Sequence, residues 1–197
     1  MKILIYGSTY ITEVVVEELK KYFDLVGYIP SKKPIFSGHI DLPIVDESIE
    51  KDISLSIQYD RMILDIKNGF NLHTGMLPEY GGCDVLLHTI INGEYKQGLT
   101  FHKITDRFDF GPIILRSTYP VFRDDKIVNL YKRVCSLAPH VTRTALQLLE
   151  QIGLENVPGC YSEKPKIYKR GIFDSYFSMM YKNSYQDIQD WIALQRI

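Results

Sequence analysis

The apolar positions begin as short runs and lengthen into amphipathic stretches toward the C-terminal half. Ile3-Leu4-Ile5-Tyr6 is a compact apolar run closed by Gly7-Ser8-Thr9, the pattern of a buried strand turning into a helix. The helix is expected over Ile11 to Phe23, with Val14, Val15, Leu19 and Phe23 on its buried side. Leu25 to Ile29 is the next strand, and this β-α-β opening predicts a parallel sheet covered by helices. Pro30, Pro34, Gly38 and Pro43 mark the following stretch as a loop. Ile53 to Tyr59 alternates as a strand does, and Gly69 to His73 is a further short strand.

After His73 the run from Thr74 to Gly82 forms a glycine-rich loop, and Asp84 is expected to cap a helix reaching Ile91, ended by Asn92-Gly93. Leu99 to Ile104 and Ile113 to Val121 read as strands flanking a polar loop around Asp109. A long amphipathic segment from Ile127 to Ile152 contains Pro139, where the helix either kinks or gives way to a second helix. Val157 to Arg170 reads as irregular or hairpin-like, and Ser184 with Asp187 has the spacing of a capping box opening a final helix to Ile197. The expectation is a catalytic domain over 1–153 with a small C-terminal appendage over 154–197 packed on it.

Composition narrows the partners. The chain has 197 residues, 45% apolar and 24% charged, as an ordinary globular domain does. Its 23 basic and 24 acidic residues are nearly balanced and form no long basic run, which argues against a nucleic-acid surface. Cys83, Cys135 and Cys160 make neither a CxxC pair nor a metal-ligand spacing with histidine, so no metal and no disulfide framework is expected. No apolar stretch has the length of a membrane span, and the apolar start is too short for a signal-peptide core. A cytoplasmic protein with no membrane partner is the expectation.

Asn71 and His73 lie two apart at the carboxyl end of a predicted strand, so their side chains share one face, next to a glycine-rich loop. Ligands of open α/β sheets bind beyond that end. An amide beside an imidazole there could polarise a carbonyl and move a proton; the same pair is also an ordinary strand end. Asp109, between Phe108 and Phe110, is either a turn-former or a partly desolvated acid with a raised pKa.

Taken together, NLHTGMLPEYGG and FDFGPII resemble the catalytic core of the formyltetrahydrofolate-dependent formyltransferases, which carry Asn-x-His, a Leu-Pro loop and an Asp segment in that order. The resemblance implies a Rossmann-like formyltransferase fold and 10-formyltetrahydrofolate as donor. It implies that Asn71 holds the formyl oxygen, His73 assists proton movement and Asp109 accepts or relays the amine's proton. Tyr59, Asp60, Arg61, Met62 and Ile63 resemble the loop that grips the pterin ring, with Phe108 as the opposite wall. His102 is similar to a second histidine near the family's active centre, or it is a polar residue on a half-buried strand. The sequence departs from the family at Gly81, at Thr105-Asp106 ahead of Asp109, and in a short segment before Asn71, which implies a missing sheet element or substrate-contacting loop.

Among the family's acceptors, transfer RNA is disfavoured by the charge balance. Glycinamide ribonucleotide is disfavoured because Gly7-Ser8-Thr9-Tyr10-Ile11 has one glycine and two bulky residues where a phosphate cradle is needed. The resemblance then points to a nucleotide-linked amino sugar, such as dTDP-4-amino-4,6-dideoxyglucose. The alternatives are phosphoribosylglycinamide formyltransferase and a non-catalytic folate-fold binding protein. The aromatic tail (Tyr161, Tyr168, Phe173, Tyr176, Phe177, Tyr181, Tyr185, Trp191) would stack on a base, form a homodimer interface or pack the appendage.

Overall fold

A computed structural model describes residues 1–34, 36–63, 67–157, 166–169 and 182–195. Strands β1 (Lys2–Tyr6), β2 (Asp24–Ile29), β3 (Ile53–Ile57), β4 (Gly69–His73), β6 (Lys96–Lys103) and β7 (Ile113–Pro120) form one sheet in the order β2-β1-β3-β4-β6-β7. The first four pair in parallel, and β6 and β7 are added antiparallel. A second, two-stranded sheet pairs β5 (Gly81–Gly82) with β8 (Ile167–Tyr168), also in parallel. The helices are α1 (Tyr10–Leu19), α2 (Val85–Ile91), α3 (Ile127–Ile152) and α4 (Tyr185–Gln195).

The two faces of the large sheet are covered differently. Ile3, Ile5, Leu55, Phe70, Leu72 and Phe101 point to one face, and buried residues of all four helices pack there among the described residues. The opposite face is apolar only toward β1 and β2, where Leu4 and Tyr6 meet Ile63, Val26, Val45 and Tyr59. No described helix contributes to that second cluster, so among the described residues helices cover the sheet on one side and loops on the other.

The loops are the crossovers that run from β2 to β3 and from β3 to β4. The second, residues 58–68, joins two parallel strands without a described helix. Such a crossover ordinarily takes a dozen or more residues and a helix. The segment before Asn71 is thus short in its crossover, while the sheet itself runs unbroken from β2 to β4.

Local chemistry sets the element ends. Thr9 caps α1 through a reciprocal pair with Thr12, and the helix stops at Leu19, short of the expected Phe23. Val16 rather than Val14 lies in its buried face. Asp84 precedes α2 with φ 55° and does not cap it through its side chain, contrary to expectation. The segment with Pro139 is one continuous helix rather than two. That proline lies on α3 between the buried Ala138 and Val141, and the packing of this face outweighs the one backbone bond proline cannot make.

At the C-terminal end, Ser184 and Asp187 bond reciprocally at 2.9 and 3.2 Å and open α4. Ile188 is buried in the helix-side core, and Tyr185 donates its backbone N–H to the carbonyl of Asp125. Within Val157 to Arg170, expected to be irregular or hairpin-like, the described part holds β8, paired in parallel with β5. Of the tail aromatics, Tyr161, Phe173, Tyr176, Phe177 and Tyr181 and the Trp191 side chain lie outside the described residues, as does Cys160.

Candidate active site

The alternation of β4 separates packing from chemistry. Phe70 and Leu72 enter the helix-side core, which turns Asn71 and His73 to the opposite, polar face. Strand β6 runs antiparallel beside it with Asn71 opposite His102 and His73 opposite Thr100. Cross-strand partners are near neighbours, and Asn71 Nδ2 lies 3.1 Å from His102 Nε2. The register therefore draws His102 into the cluster, a point the sequence left open.

Asp109 arrives from the loop between β6 and β7. Its φ of 51° is a left-handed backbone that few non-glycine residues adopt. At Gly111 the chain passes so close to Lys103 that a Cβ would collide with the Lys103 carbonyl. The hydroxyl of Thr105 bonds the carbonyls of Arg107 and Phe110, so Thr105 holds the turn and the Asp109 side chain faces inward. Its carboxylate accepts from Asn71 Nδ2 at 3.3 Å and from the Gly82 backbone N–H at 2.7 Å. It also lies 3.5 Å from His73 Nδ1 and 3.5 Å from His102 Nε2. The structure thus gathers Asn71, His73 and His102 around Asp109.

Burial pushes the Asp109 carboxyl up, but His73, His102 and the Gly82 amide outweigh it and hold the group well below the usual carboxylate range. The raised-pKa alternative is thereby corrected: flanking phenylalanines signal burial, and the two imidazoles across the sheet reverse its effect. Carbonyl partners fix one nitrogen of each ring as a donor, and the other nitrogen favours the Asp109 charge only when it carries a proton as well. His73 Nε2 must donate to the Tyr80 carbonyl at 2.5 Å, which turns Nδ1 to Asp109. His102 Nδ1 must donate to the Lys103 carbonyl at 2.9 Å, which turns Nε2 to Asn71 and Asp109.

The cluster opens into a cavity of about 290 Å³ that straddles the carboxyl edge of the sheet. Tyr59, Asp60, Arg61, Met62, Ile63 and Phe108 all line it. Ile63 is buried in the loop-side cluster, against which Tyr59 packs, so these two anchor the segment from behind. Asp60 accepts from the Lys33 backbone at 3.0 Å, and the Arg61 guanidinium donates to the Pro30 carbonyl at 3.3 Å and lies over the Tyr59 ring. These two side chains tie the segment to residues 30–33. Met62 and Phe108 present exposed apolar surface at the mouth.

Other lining residues went unnoticed in the sequence: Lys33 and Phe36 on the loop after β2, and Ile127, Tyr131 and Val134 on α3. The α3 residues repeat at helical spacing, which reads simply as core, and the loop offered only its prolines and glycine. The N-terminus of α1 lies at this end of the cavity, and two of its amides are already engaged. Tyr10 N–H donates to the Phe36 carbonyl at 2.7 Å and Thr12 N–H to the Thr9 hydroxyl at 3.3 Å. Among the described residues, no group of three or more His, Cys, Asp or Glu could hold a metal, and no helix is long and apolar enough to cross a membrane.

Residues 62–146, which contain all four clustered residues, match the family model described as formyl transferase. The matched residues belong to a Rossmann-like, mostly parallel sheet. Over 107 residues the chain is 32% identical to the bifunctional polymyxin resistance protein ArnA of Wigglesworthia glossinidia brevipalpis, covering 51% of this chain and 16% of that protein. Over 132 residues it is 27% identical to the methionyl-tRNA formyltransferase of Thermosipho melanesiensis, covering 64% of this chain and 43% of that one. The chain spans less than half the length of these relatives. A solved N-formyltransferase from Helicobacter canadensis, in complex with folinic acid and dTDP-3-aminofucose, superposes with a TM-score of 0.73. It is 22% identical, with 86% of this chain and 71% of that chain covered, a likeness that establishes the fold.

Proposed function

We propose that the protein transfers the formyl group of 10-formyltetrahydrofolate to the amine of a nucleotide-linked amino-deoxy sugar. The observation that carries this reading is the contact of Asn71, His73 and His102 with an ionised, buried Asp109 at the wall of one cavity. Formyl transfer to an amine needs three things from a protein: a donor at the oxygen where charge develops, a route for the amine's proton, and exclusion of water. Asn71 supplies the first by turning an Nδ2 hydrogen from His102 or Asp109 to the formyl oxygen, assisted by His73. Asp109 serves the second as a relay. A carboxylate held so low keeps a proton poorly, so the proton leaving the amine passes on to the departing nitrogen of the donor.

The cavity supports a division of labour across the sheet edge. Met62 and Phe108 offer apolar walls for the flat pterin, and the backbone of residues 59–63 offers it donors and acceptors. The acceptor then enters from the opposite end, between Ile11, Phe36, Ile127, Tyr131 and Val134. That end is largely apolar, and the α1 amides beside it are already bonded to Phe36 and Thr9. A phosphate would find the Tyr10 and Thr12 amides taken, which counts against glycinamide ribonucleotide. A deoxygenated sugar has the apolar side that such a wall accommodates. The H. canadensis enzyme, which shares the fold, was crystallised with a folate and a dTDP-linked amino sugar.

The reading carries with it a cytoplasmic enzyme of one catalytic domain over 1–153 and an appendage over 154–197, with a homodimer to be checked by analytical ultracentrifugation. The deciding assay is release of tetrahydrofolate from 10-formyltetrahydrofolate against a panel of nucleotide-linked amino sugars, with glycinamide ribonucleotide included. Acceptor-dependent release with one sugar supports the proposal. Release with glycinamide ribonucleotide alone replaces the acceptor, and folate binding without release from any acceptor makes the protein a non-catalytic binder.

A further inference from the structure

The glycine-rich loop after β4 has two sides with different work. Its inner side holds the cluster: the Tyr80 carbonyl accepts from His73 Nε2, and the Gly82 N–H donates to Asp109 at 2.7 Å. Its outer side is bound to the C-terminal strand β8. Gly81 N–H donates to the Lys166 carbonyl at 3.0 Å, Cys83 N–H to the Tyr168 carbonyl at 2.9 Å, and Lys166 N–H to the Pro78 carbonyl at 2.9 Å. Gly82, between them, has φ 87°, and a Cβ there would collide with the Tyr168 backbone.

Side chains reinforce this backbone clamp. The Tyr168 ring stacks on Tyr80 with centroids 5.4 Å apart and 14° between planes, and it meets the His88 ring on α2 at 3.8 Å. Asn92 at the end of α2 donates to both tyrosine hydroxyls at 2.9 Å. Tyr168 is absent from the cavity lining. From this arrangement we infer that Tyr168 and the strand around it form a positioning strap, which sets the geometry of His73 and Asp109 through the Tyr80–Gly82 loop.

The physical argument is one of leverage. The two-residue strand β5 forms few backbone bonds of its own, and three of the loop's bonds run to Lys166 and Tyr168. Releasing them frees the loop that fixes one contact to each of two site residues. Misplacement of a reacting constellation by about 1 Å can cost about 10²-fold in rate.

The inference rests on the formyl-transfer reading, and the test separates the two. In the full chain, Tyr168→Ala is expected to lower kcat by about ten- to 10²-fold while leaving KM for the formyl donor unchanged. The Gly82 amide is one of the contacts that hold Asp109 low. Loosening it moves the acid limb of the pH–kcat profile to higher pH. Tyr168→Phe keeps the ring stack and is expected to keep wild-type kcat and profile.

A folded Tyr168→Ala protein with wild-type kcat and pH profile overturns the inference. So does a loss of melting temperature with the pH profile unmoved, which would leave β8 a scaffold only. If Tyr168→Ala fails to fold, Tyr168→Leu and Lys166→Pro, which deletes the donor to Pro78, decide by the same criteria. If the wild type itself releases no tetrahydrofolate, the formyl-transfer reading fails. The strap is then judged by carboxyl NMR titration of Asp109, which must move upward in Tyr168→Ala and is overturned if it does not.

Discussion

The helix-side and loop-side faces of one sheet are made by the same strands, yet they have opposite characters. Toward the helices, β1, β3, β4 and β6 present Ile3, Leu55, Phe70 and Phe101, each within 1% of full burial and all in one cluster. Toward the loops, β1 still presents Leu4 and Tyr6, but β3, β4 and β6 present Ser56, Asn71, His73, Thr100 and His102. The difference shows that a period of two lets a strand stabilise the domain with alternate residues and carry its chemistry with the others. The site lies where the loop-side face loses its apolar cover and receives Asp109 in its place.

Substitutions on the two faces should therefore separate activity from stability. The largest expected effect is on the polar face. Asp109→Asn removes the proposed relay and should lower kcat by about 10²–10⁴-fold with folate binding kept, as a donor-binding assay beside the turnover assay would show. Retained turnover would remove Asp109 from the chemistry and blur the contrast. The same substitution carries a pH signature. Because the folded Asp109 sits below its unfolded value, ionisation stabilises the fold above about pH 4, and that stability is lost as pH falls through the depressed folded value. The stability gap between wild type and Asp109→Asn, measured by urea unfolding, should narrow below about pH 4.

On the helix-side face, Phe101→Ala should cost about 3–5 kcal/mol of stability, because Phe101 is fully buried and stacks on Phe70 at 5.8 Å. Any molecules that remain folded should keep the pH dependence of turnover; a changed profile would mean that the faces are coupled. Thr9→Ala deletes the α1 cap and should cost about 0.5–2 kcal/mol, read as a lower urea midpoint. Ser56→Ala, on a strand between two apolar neighbours but facing the cavity, should change stability by about 0.5 kcal/mol or less. A larger loss would show the polar face to be structural as well.

Much of this contrast was legible in local pattern. The strand Gly69 to His73 was read with its observed bounds, and alternation alone put Asn71 and His73 on the same side, opposite Phe70 and Leu72. The bounds of the long amphipathic helix were legible as well, since repeat spacing needs no knowledge of partners, but not its continuity through Pro139. The loops were less legible. Residues 30–52 were marked only by prolines and glycine, and nothing local told that they would cover a sheet face in place of a helix.

Sequence by itself determined which residues of each strand could be buried and which could react, because side-chain direction follows from a backbone repeat of two. Tertiary structure alone decided that His102 stands opposite Asn71, a matter of register between strands 31 residues apart. It also decided that Asp109 is anionic rather than neutral. Its flanking phenylalanines speak only for burial, and the imidazoles and the Gly82 amide that outweigh burial come from other elements. The clamp of β8 on the Tyr80–Gly82 loop is of the same kind, since the backbone bonds that make it join segments more than 80 residues apart. A repeat is written in neighbouring residues, whereas charge balance and register are properties of what folding brings together.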